Sequence, residues 1–185
     1  MTRIVGGAAK GRHLAVPPHG TRPTSDRARE ALFNTLVGLV DVEGARMLDL
    51  FAGTGAVGLE ALSRGAVHVT FVESDRKVAT VLAGNIATVG LPGAVLLRCS
   101  VESFLLATGT EAPFELVYAD PPYAVADSAI AALLNSLSQP RWLAPDAVVV
   151  VERSSRGTEP RWPDVIEPIK QKRYGEGVLW YGRRR

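Results

Sequence analysis

The sequence predicts a doubly wound α/β fold, a mostly parallel sheet with helices on both faces, preceded by a small N-terminal β-hairpin. Three observations predict it. Strand-like and helix-like segments alternate from residue 45 to residue 137, as successive βαβ units require. A Gly-x-Gly-x-x-Gly turn stands at the first strand-to-helix junction of that alternation. The closing stretch "IEPIKQKRYGEGVLWYGR" reads as two strands around a Gly-containing turn, an antiparallel pair at one edge of the sheet. The length of 185 residues suits one domain, residues 21–185, with residues 1–20 as an extension.

Each element has a local reason. "RIVGGAAKGRHLAV" places two short apolar runs around a Gly-rich turn, the pattern of a hairpin, and "PPHGTRP" is a proline-rich link. From Thr24, "TSDRAREALFNTLVGLV" offers Thr, Ser and Asp as caps. Ala28, Leu32, Phe33, Leu36 and Leu39 then follow at helical spacing, and this helix is expected to run to the "DVEG" turn. Beyond it, the strands "ARMLDLF", "VHVTFVE", "AVLLRC" and "FELVYA" alternate with the helices "GAVGLEALSRG", "DRKVATVLAGNIATVG", "VESFLLATG" and "ADSAIAALLNSL". "DAVVVVE" supplies a fifth strand. The chain has no internal repeat or low-complexity tract.

Composition narrows the class. The 46% hydrophobic and 22% charged content is ordinary for a soluble domain, and no apolar run approaches the roughly 18 residues of a membrane span. The N-terminus lacks an apolar stretch followed by a cleavage site, so a cytoplasmic protein is expected. Cys99 has no disulfide partner, and its neighbours Leu96 and Leu97 predict a buried thiol without a catalytic role. His13, His19 and His68 lack metal-ligand spacing, so no metal is expected. The net charge of +2 conceals basic ends: residues 1–30 hold six Arg or Lys against two acids, and residues 170–185 hold six against one. That distribution suits a polyanionic partner or merely solvated termini, and charge alone does not separate the two.

The glycine turn carries the first chemical signal. Gly53, Gly55 and Gly58 in "LDLFAGTGAVGLE" let the backbone turn tightly and approach a ligand. Glu73, with Ser74 beside it, ends the next strand, where a carboxylate can accept hydrogen bonds from ribose hydroxyls. Any adenosine-bearing cofactor would gain from that arrangement. Asp49 discriminates among them: a carboxylate just upstream disfavours a dinucleotide's pyrophosphate at the helix N-terminus, whereas S-adenosylmethionine presents an ammonium and a sulfonium there. The pattern Asp49, Phe51, Gly53, Gly55 therefore favours the methyl donor, and Ser100 with Val101 completes the candidate cofactor set at the third strand's end.

"YADPPYA" carries the second signal. Asp120 precedes a proline and is biased to an extended conformation, and neither Pro121 nor Pro122 can donate an N–H. The Asp120 carboxylate and a backbone carbonyl, that of Pro121, are thus expected at the carboxyl end of a parallel strand, where ligands bind in this architecture. Two acceptors gripping an exocyclic amine would aim its nitrogen at a methyl group and favour the pyramidal geometry of attack. Tyr123 offers a ring on which an extruded base can stack, worth about 1 to 3 kcal/mol. Asp120, Pro121, Pro122 and Tyr123 are the candidate catalytic residues.

At this point the chain resembles the RsmD family of bacterial 16S rRNA guanine-N2 methyltransferases, within the Rossmann-like class I group. The carriers are "RIVGGAAKGRHL", "RPTSDRAREALFNTL", "LDLFAGTGAVGLEALSRGA", "FVESD", "YADPPY" and "YGEGVLWYGR". The resemblance implies methylation of the N2 of a specific guanine in 16S rRNA, with the small ribosomal subunit as partner and S-adenosylmethionine as cofactor. It places Arg22 and Thr24 near the cofactor and target pocket, and the protein is expected to act as a monomer. From the residues alone, Arg22, Arg27 and Arg29 suit a solvated helix start equally well. One departure stands out: many such enzymes carry an acid at the third strand's end for the adenine amino group, where this chain offers Ser100 and, farther along, Glu102. Three other readings remain open, namely an adenine-N6 methyltransferase on DNA or RNA, a non-catalytic RNA-binding assembly factor, and, more distantly, a nicotinamide-dependent oxidoreductase.

Overall fold

The computed structural model describes residues 2–17, 25–107 and 112–185. An antiparallel pair, β1 (Thr2–Arg3) and β2 (His13–Leu14), opens the chain as the expected hairpin. Helix α1 (Asp26–Leu36) starts at Ser25, whose hydroxyl accepts from the Ala28 N–H. Then follow β3 (Arg46–Leu50), α2 (Ala56–Ser63), β4 (His68–Val72), α3 (Arg76–Val89), β5 (Ala94–Leu97), α4 (Val101–Leu106), β6 (Phe114–Ala119) and α5 (Asp127–Leu137). Three long strands close the chain: β7 (Leu143–Ser154), β8 (Ile166–Tyr174) and β9 (Gly177–Arg184).

Seven strands form one sheet in the order β5-β4-β3-β6-β7-β9-β8, parallel through β7 and antiparallel at the last two pairings. The edge pair is thus the one expected, with β9 inserted between β7 and β8. Alternation along each strand divides the core. Met47, Phe71, Tyr118 and Val150 face α1, α2, α3 and the hairpin, while Leu48, Val72, Val117 and Val151 face α4 and α5. Helices therefore cover both faces, and the apolar runs of β3, β4 and β6 read as buried strands because each is sealed twice, whereas β5 at the edge stays partly exposed.

Helix α3 shows how the sequence sets its own limits. Asp75 caps it by accepting from the Lys77 and Val78 N–H groups, and Gly90 ends it in the left-handed conformation at φ 62°. Helix α1 stops earlier than its apolar spacing suggested. It closes at Leu36 rather than at the "DVEG" turn, and the chain continues through turns in which the Gly38 N–H bonds to the Thr35 carbonyl and the Leu39 N–H to the Leu36 carbonyl. Val37 is left 75% exposed, a position an amphipathic helix would not give a large apolar side chain.

The face of α1 also differs from expectation. Arg29, not Ala28, is the sealed position, at 0% exposure. Its guanidinium reaches the Glu60 carboxylate, the Thr2 hydroxyl, Asp26 and the Arg3 carbonyl, so it is neither a solvated helix-start residue nor a pocket residue. A charge can be buried there because, among the described residues, the guanidinium makes four hydrogen bonds to partners on three elements, two of them carboxylates. The hairpin docks on the end of α2 in the same way: the Ala8 N–H donates to the Ser63 carbonyl and the Ala9 N–H to the Ser63 hydroxyl. A Cβ on Gly7 would lie 1.7 Å from the Ser63 carbonyl oxygen, so only glycine permits that approach.

Candidate active site

The strand order changes direction between β3 and β6, and in open α/β sheets the crevice at the carboxyl ends of such strands is where ligands bind. Register brings the two signal-bearing turns together there. Asp49 pairs with Tyr118 and Leu50 with Ala119, and the Asp120 N–H donates to the Leu50 carbonyl at 3.3 Å. The glycine turn and the Asp-Pro-Pro-Tyr turn are neighbours in space.

The turn after β3 is wound through the left-handed region. Phe51 holds φ at 57°, which costs a non-glycine residue about 1 to 3 kcal/mol and tends to persist where function requires it. The three glycines serve different ends. A Cβ on Gly55 would fall 2.1 Å from Leu82 Cδ1 and one on Gly58 2.3 Å from Phe71 Cε1, so these two let α2 pack on α3 and β4. A Cβ on Gly53 would meet nothing nearer than the Phe51 carbonyl oxygen at 3.9 Å. Gly53 is the position a ligand can approach.

Asp49 is 1% exposed, and its Oδ2 accepts from the Gly58 N–H at 3.0 Å. That N–H belongs to the first turn of α2, whose donors a pyrophosphate would need. A carboxylate already holds one of them. Burial pushes the Asp49 carboxyl well above the usual range; the Gly58 N–H opposes this, and the charges of Asp120 and Glu73 add to it. Glu73 bridges two backbone donors, with Oε2 accepting from Gly53 N–H at 2.9 Å and Oε1 from Asp75 N–H at 2.8 Å. Each carboxylate oxygen has a second lone pair for a ligand hydroxyl.

Phe51, Glu73, Ser74, Ser100 and Val101, drawn from the ends of β3, β4 and β5, line one small cavity. Cys99 and Glu102 also line it. Cys99 is therefore half-buried at the cavity wall rather than sealed in the core, and burial raises its thiol pKa. The Ser100 hydroxyl caps α4 by accepting from the Ser103 N–H at 3.1 Å. A wider hollow, between Phe33, the turn before β3 and Arg64, lies at the opposite ends of the strands and contains none of the candidate residues.

On the other side of the crevice, Pro121 is buried while Pro122 and Tyr123 turn outward, Tyr123 with 43% exposure. The Val125 N–H donates to the Pro122 carbonyl at 2.9 Å, closing the turn. Arg153 holds the far end of that loop, donating to the Val125 carbonyl at 2.8 Å and to Asp127 at 3.2 Å. The Asp120 carboxyl is raised to about 8, first by burial and then by the charge of Glu152. Glu152 escaped the sequence reading. Its position was visible as the acid ending "VVVVE", but its nearness to Asp120 depends on β7 lying beside β6, with Val151 opposite Ala119. Arg22 and Thr24 lie outside the described residues.

Comparison with known proteins agrees with this geometry. The family described as "Conserved hypothetical protein 95" matches residues 2–183. Ribosomal RNA small subunit methyltransferase D of Escherichia coli K12 is 41% identical over 162 residues, 87% of this chain and 79% of that protein. The putative rRNA methyltransferase YlbH of Bacillus subtilis is 36% identical, with 98% of this chain and 99% of that protein covered. Among solved structures, a putative methyltransferase yhhF from Escherichia coli superposes with a TM-score of 0.87 at 36% identity, covering 99% of this chain and 97% of that one. With the glycine turn and the Asp-Pro-Pro-Tyr turn brought to one crevice and the match running almost end to end, the chain belongs to the RsmD family, that of ribosomal RNA small subunit methyltransferase D.

Proposed function

We propose that the protein transfers a methyl group from S-adenosylmethionine to the exocyclic N2 of a guanine in 16S rRNA of the small ribosomal subunit. The observation that carries the reading is the pairing of β3 with β6, in which the Asp120 N–H bonds to the carbonyl of Leu50, the last residue of the strand that leads into the glycine turn. The residues fit the donor. A sealed carboxylate at Asp49 with one hydrogen-bond donor favours a ligand bearing positive charge, Glu73 has acceptor capacity for a ribose, and the cavity of Phe51, Ser74, Ser100 and Val101 takes the adenine end. When bound, S-adenosylmethionine supplies an electrophilic methyl group on a cationic sulfur.

The chain's own residues prepare the amine. Asp120, beside the buried Pro121, presents an acceptor at a strand tip that the two prolines keep from continuing as a ladder. A fixed acceptor draws on one amino hydrogen and turns the nitrogen lone pair away from the ring system into which it is delocalised. Tyr123 offers its exposed ring as a stacking surface for the extruded base, at a turn braced by Pro122 and Val125. Basic residues at both ends of the chain serve phosphate contacts, so binding of the particle is expected to weaken steeply with salt.

The test is transfer of labelled methyl from S-adenosylmethionine to small subunits lacking the modification, beside naked 16S rRNA, followed by nucleoside mass spectrometry. The expected product is N2-methylguanosine. Recovery of N6-methyladenosine would replace this reading by the adenine one, and an absence of label in every substrate would remove it.

A further inference from the structure

Three neighbouring strand tips, those of β3, β6 and β7, carry a carboxylate on the same face of the sheet. Asp49 pairs with Tyr118 and Ala119 with Val151, so alternation sends Asp49, Tyr118, Asp120, Val150 and Glu152 toward the side covered by α1 and α2. Glu152 is held there from two directions. The Tyr118 hydroxyl donates to Glu152 Oε2 at 2.6 Å, and Oε1 lies against Gly177 of β9, where a Cβ would come within 2.9 Å. Among the described residues, the charged and titratable groups facing this corner include Asp49 from β3, Glu73 beyond β4, Tyr118 and Asp120 from the end of β6, Glu152 from β7, and Tyr174 and Tyr181 from β8 and β9.

We propose that Glu152 is a positioning residue for methyl transfer: tethered by Tyr118, it sets a negative charge beside Asp120 and so makes Asp120 the acceptor of the proton that the attacking amine loses. The proposal rests on the reading of the function given above. As the amino nitrogen bonds to the donor's methyl carbon, the carbon–sulfur pair stays on sulfur and the nitrogen becomes cationic. One N–H proton then passes to an Asp120 oxygen, and its bonding pair returns to nitrogen. A carboxylate of ordinary basicity assists such a transfer weakly, and efficiency rises as the acceptor's pKa approaches the working pH. Burial, and after it the Glu152 charge, bring Asp120 to about 8. The sign follows: Asp120 accepts only when ionised, so the rate rises with pH through that value. Removing the Glu152 charge eases ionisation and moves the rise to lower pH.

Two measurements test this. Carbon-13 carboxyl NMR of aspartate-labelled protein, with Asp120→Asn for assignment, follows Asp120 without any turnover. The wild type is expected to titrate near 8, and Glu152→Gln to titrate lower by roughly one unit or more, stopping short of the ordinary value near 4 because burial remains. Single-turnover methyl transfer as a function of pH should show the same downward displacement, with a several-fold lower plateau, and Glu152→Asp should restore part of the wild-type midpoint. An Asp120 that ionises near 4 in the wild type overturns the proposal, as does a Glu152→Gln protein that loses rate with its midpoint unmoved. Should Glu152→Gln fail to fold, the wild-type titration and Glu152→Asp decide. A wild type that methylates nothing at any pH overturns the reaction and the role together, whereas an unmoved midpoint in an active variant overturns the role alone.

Discussion

Two carboxylates among the described residues are sealed from solvent, Glu60 in α2 and Asp49 at the tip of β3, and they are surrounded differently. Glu60 accepts from the Val5 and Gly6 N–H groups at 2.8 Å each, from Arg29 at 3.3 Å and from Arg64 at 2.9 Å. Hairpin, α1 and α2 are thereby joined through one side chain. Asp49, among the described residues, has the Gly58 N–H alone and no salt bridge. A buried charge with its full set of donors is a clasp. A buried carboxylate driven toward its neutral form, next to a second one at Asp120, is an arrangement that stability does not favour, and such arrangements gather where a ligand of opposite charge will complete them.

The sharpest way to break the comparison is to delete one member from each group. Asp120→Ala is expected to lower methyl transfer roughly 10²- to 10⁴-fold while leaving the urea unfolding midpoint unchanged or raised. Glu60→Ala should do the reverse. It leaves the Arg29 guanidinium sealed without its buried counter-charge, only the part-exposed Asp26 remaining, a loss of about 3 to 5 kcal/mol, measured as a lower urea midpoint. If Glu60→Ala unfolds no earlier than wild type, the clasp is not what holds the hairpin to α2.

Asp49→Asn sharpens the contrast. The amide oxygen can still accept from Gly58 N–H, so folding should be undisturbed, while affinity for S-adenosylhomocysteine, which keeps the ammonium, falls roughly ten-fold or more. Calorimetry across pH adds the sign. The Asp49 carboxyl is raised by burial, so its ionised, ammonium-pairing form grows with pH and wild-type affinity should rise with it. The variant should show no such rise. The glycines of the same turn divide likewise. Gly55→Ala meets Leu82 and is expected to cost about 1 to 3 kcal/mol, whereas Gly53→Ala has open space, costs about 1 kcal/mol for its φ of 56°, and weakens ligand affinity instead.

This division also shows what could be read from the chain alone. Most strands and helices were legible because apolar runs were bounded by capping or turn residues, as Asp75 and Gly90 bound α3, whereas the largely polar β8 was legible through the Gly-containing turn that joins it to β9. The cavity residues were legible because each lies within three residues of a strand's end: Phe51, Ser74 and Ser100 inherit their positions from β3, β4 and β5. Partnership was not legible. Arg29 has the spacing of a core position but the chemistry of a surface one, and partners distant in sequence, Glu60 thirty-one residues on and Thr2 and Arg3 of the hairpin, make its burial possible. Glu152 reaches Asp120 through strand order, which local pattern does not specify. The end of α1 was missed because apolar spacing continues through Val40 while the backbone does not.

The smallest expected effect is the pH dependence of stability, and it separates the two kinds of carboxylate in one titration. Asp49 and Asp120 have folded-state pKa values above those of the unfolded chain, so the stability linked to them is full below about 4 and is lost as pH rises, for Asp120 through about 8. Asp26 goes the other way. Burial opposes its ionisation, but hydrogen bonds from Thr2, the Arg3 N–H and Arg29 more than offset it and hold its carboxyl below the usual value. Its contribution is present above about 4 and is lost on acidification. The urea midpoint should therefore be greatest at mildly acidic pH and decline toward 8, and Asp120→Asn, which removes one of the titrating groups, should flatten that decline. A midpoint that stays level or climbs between pH values of about 5 and 8 would mean that the crevice already neutralises its carboxylates, and the distinction between clasp and waiting site would fail.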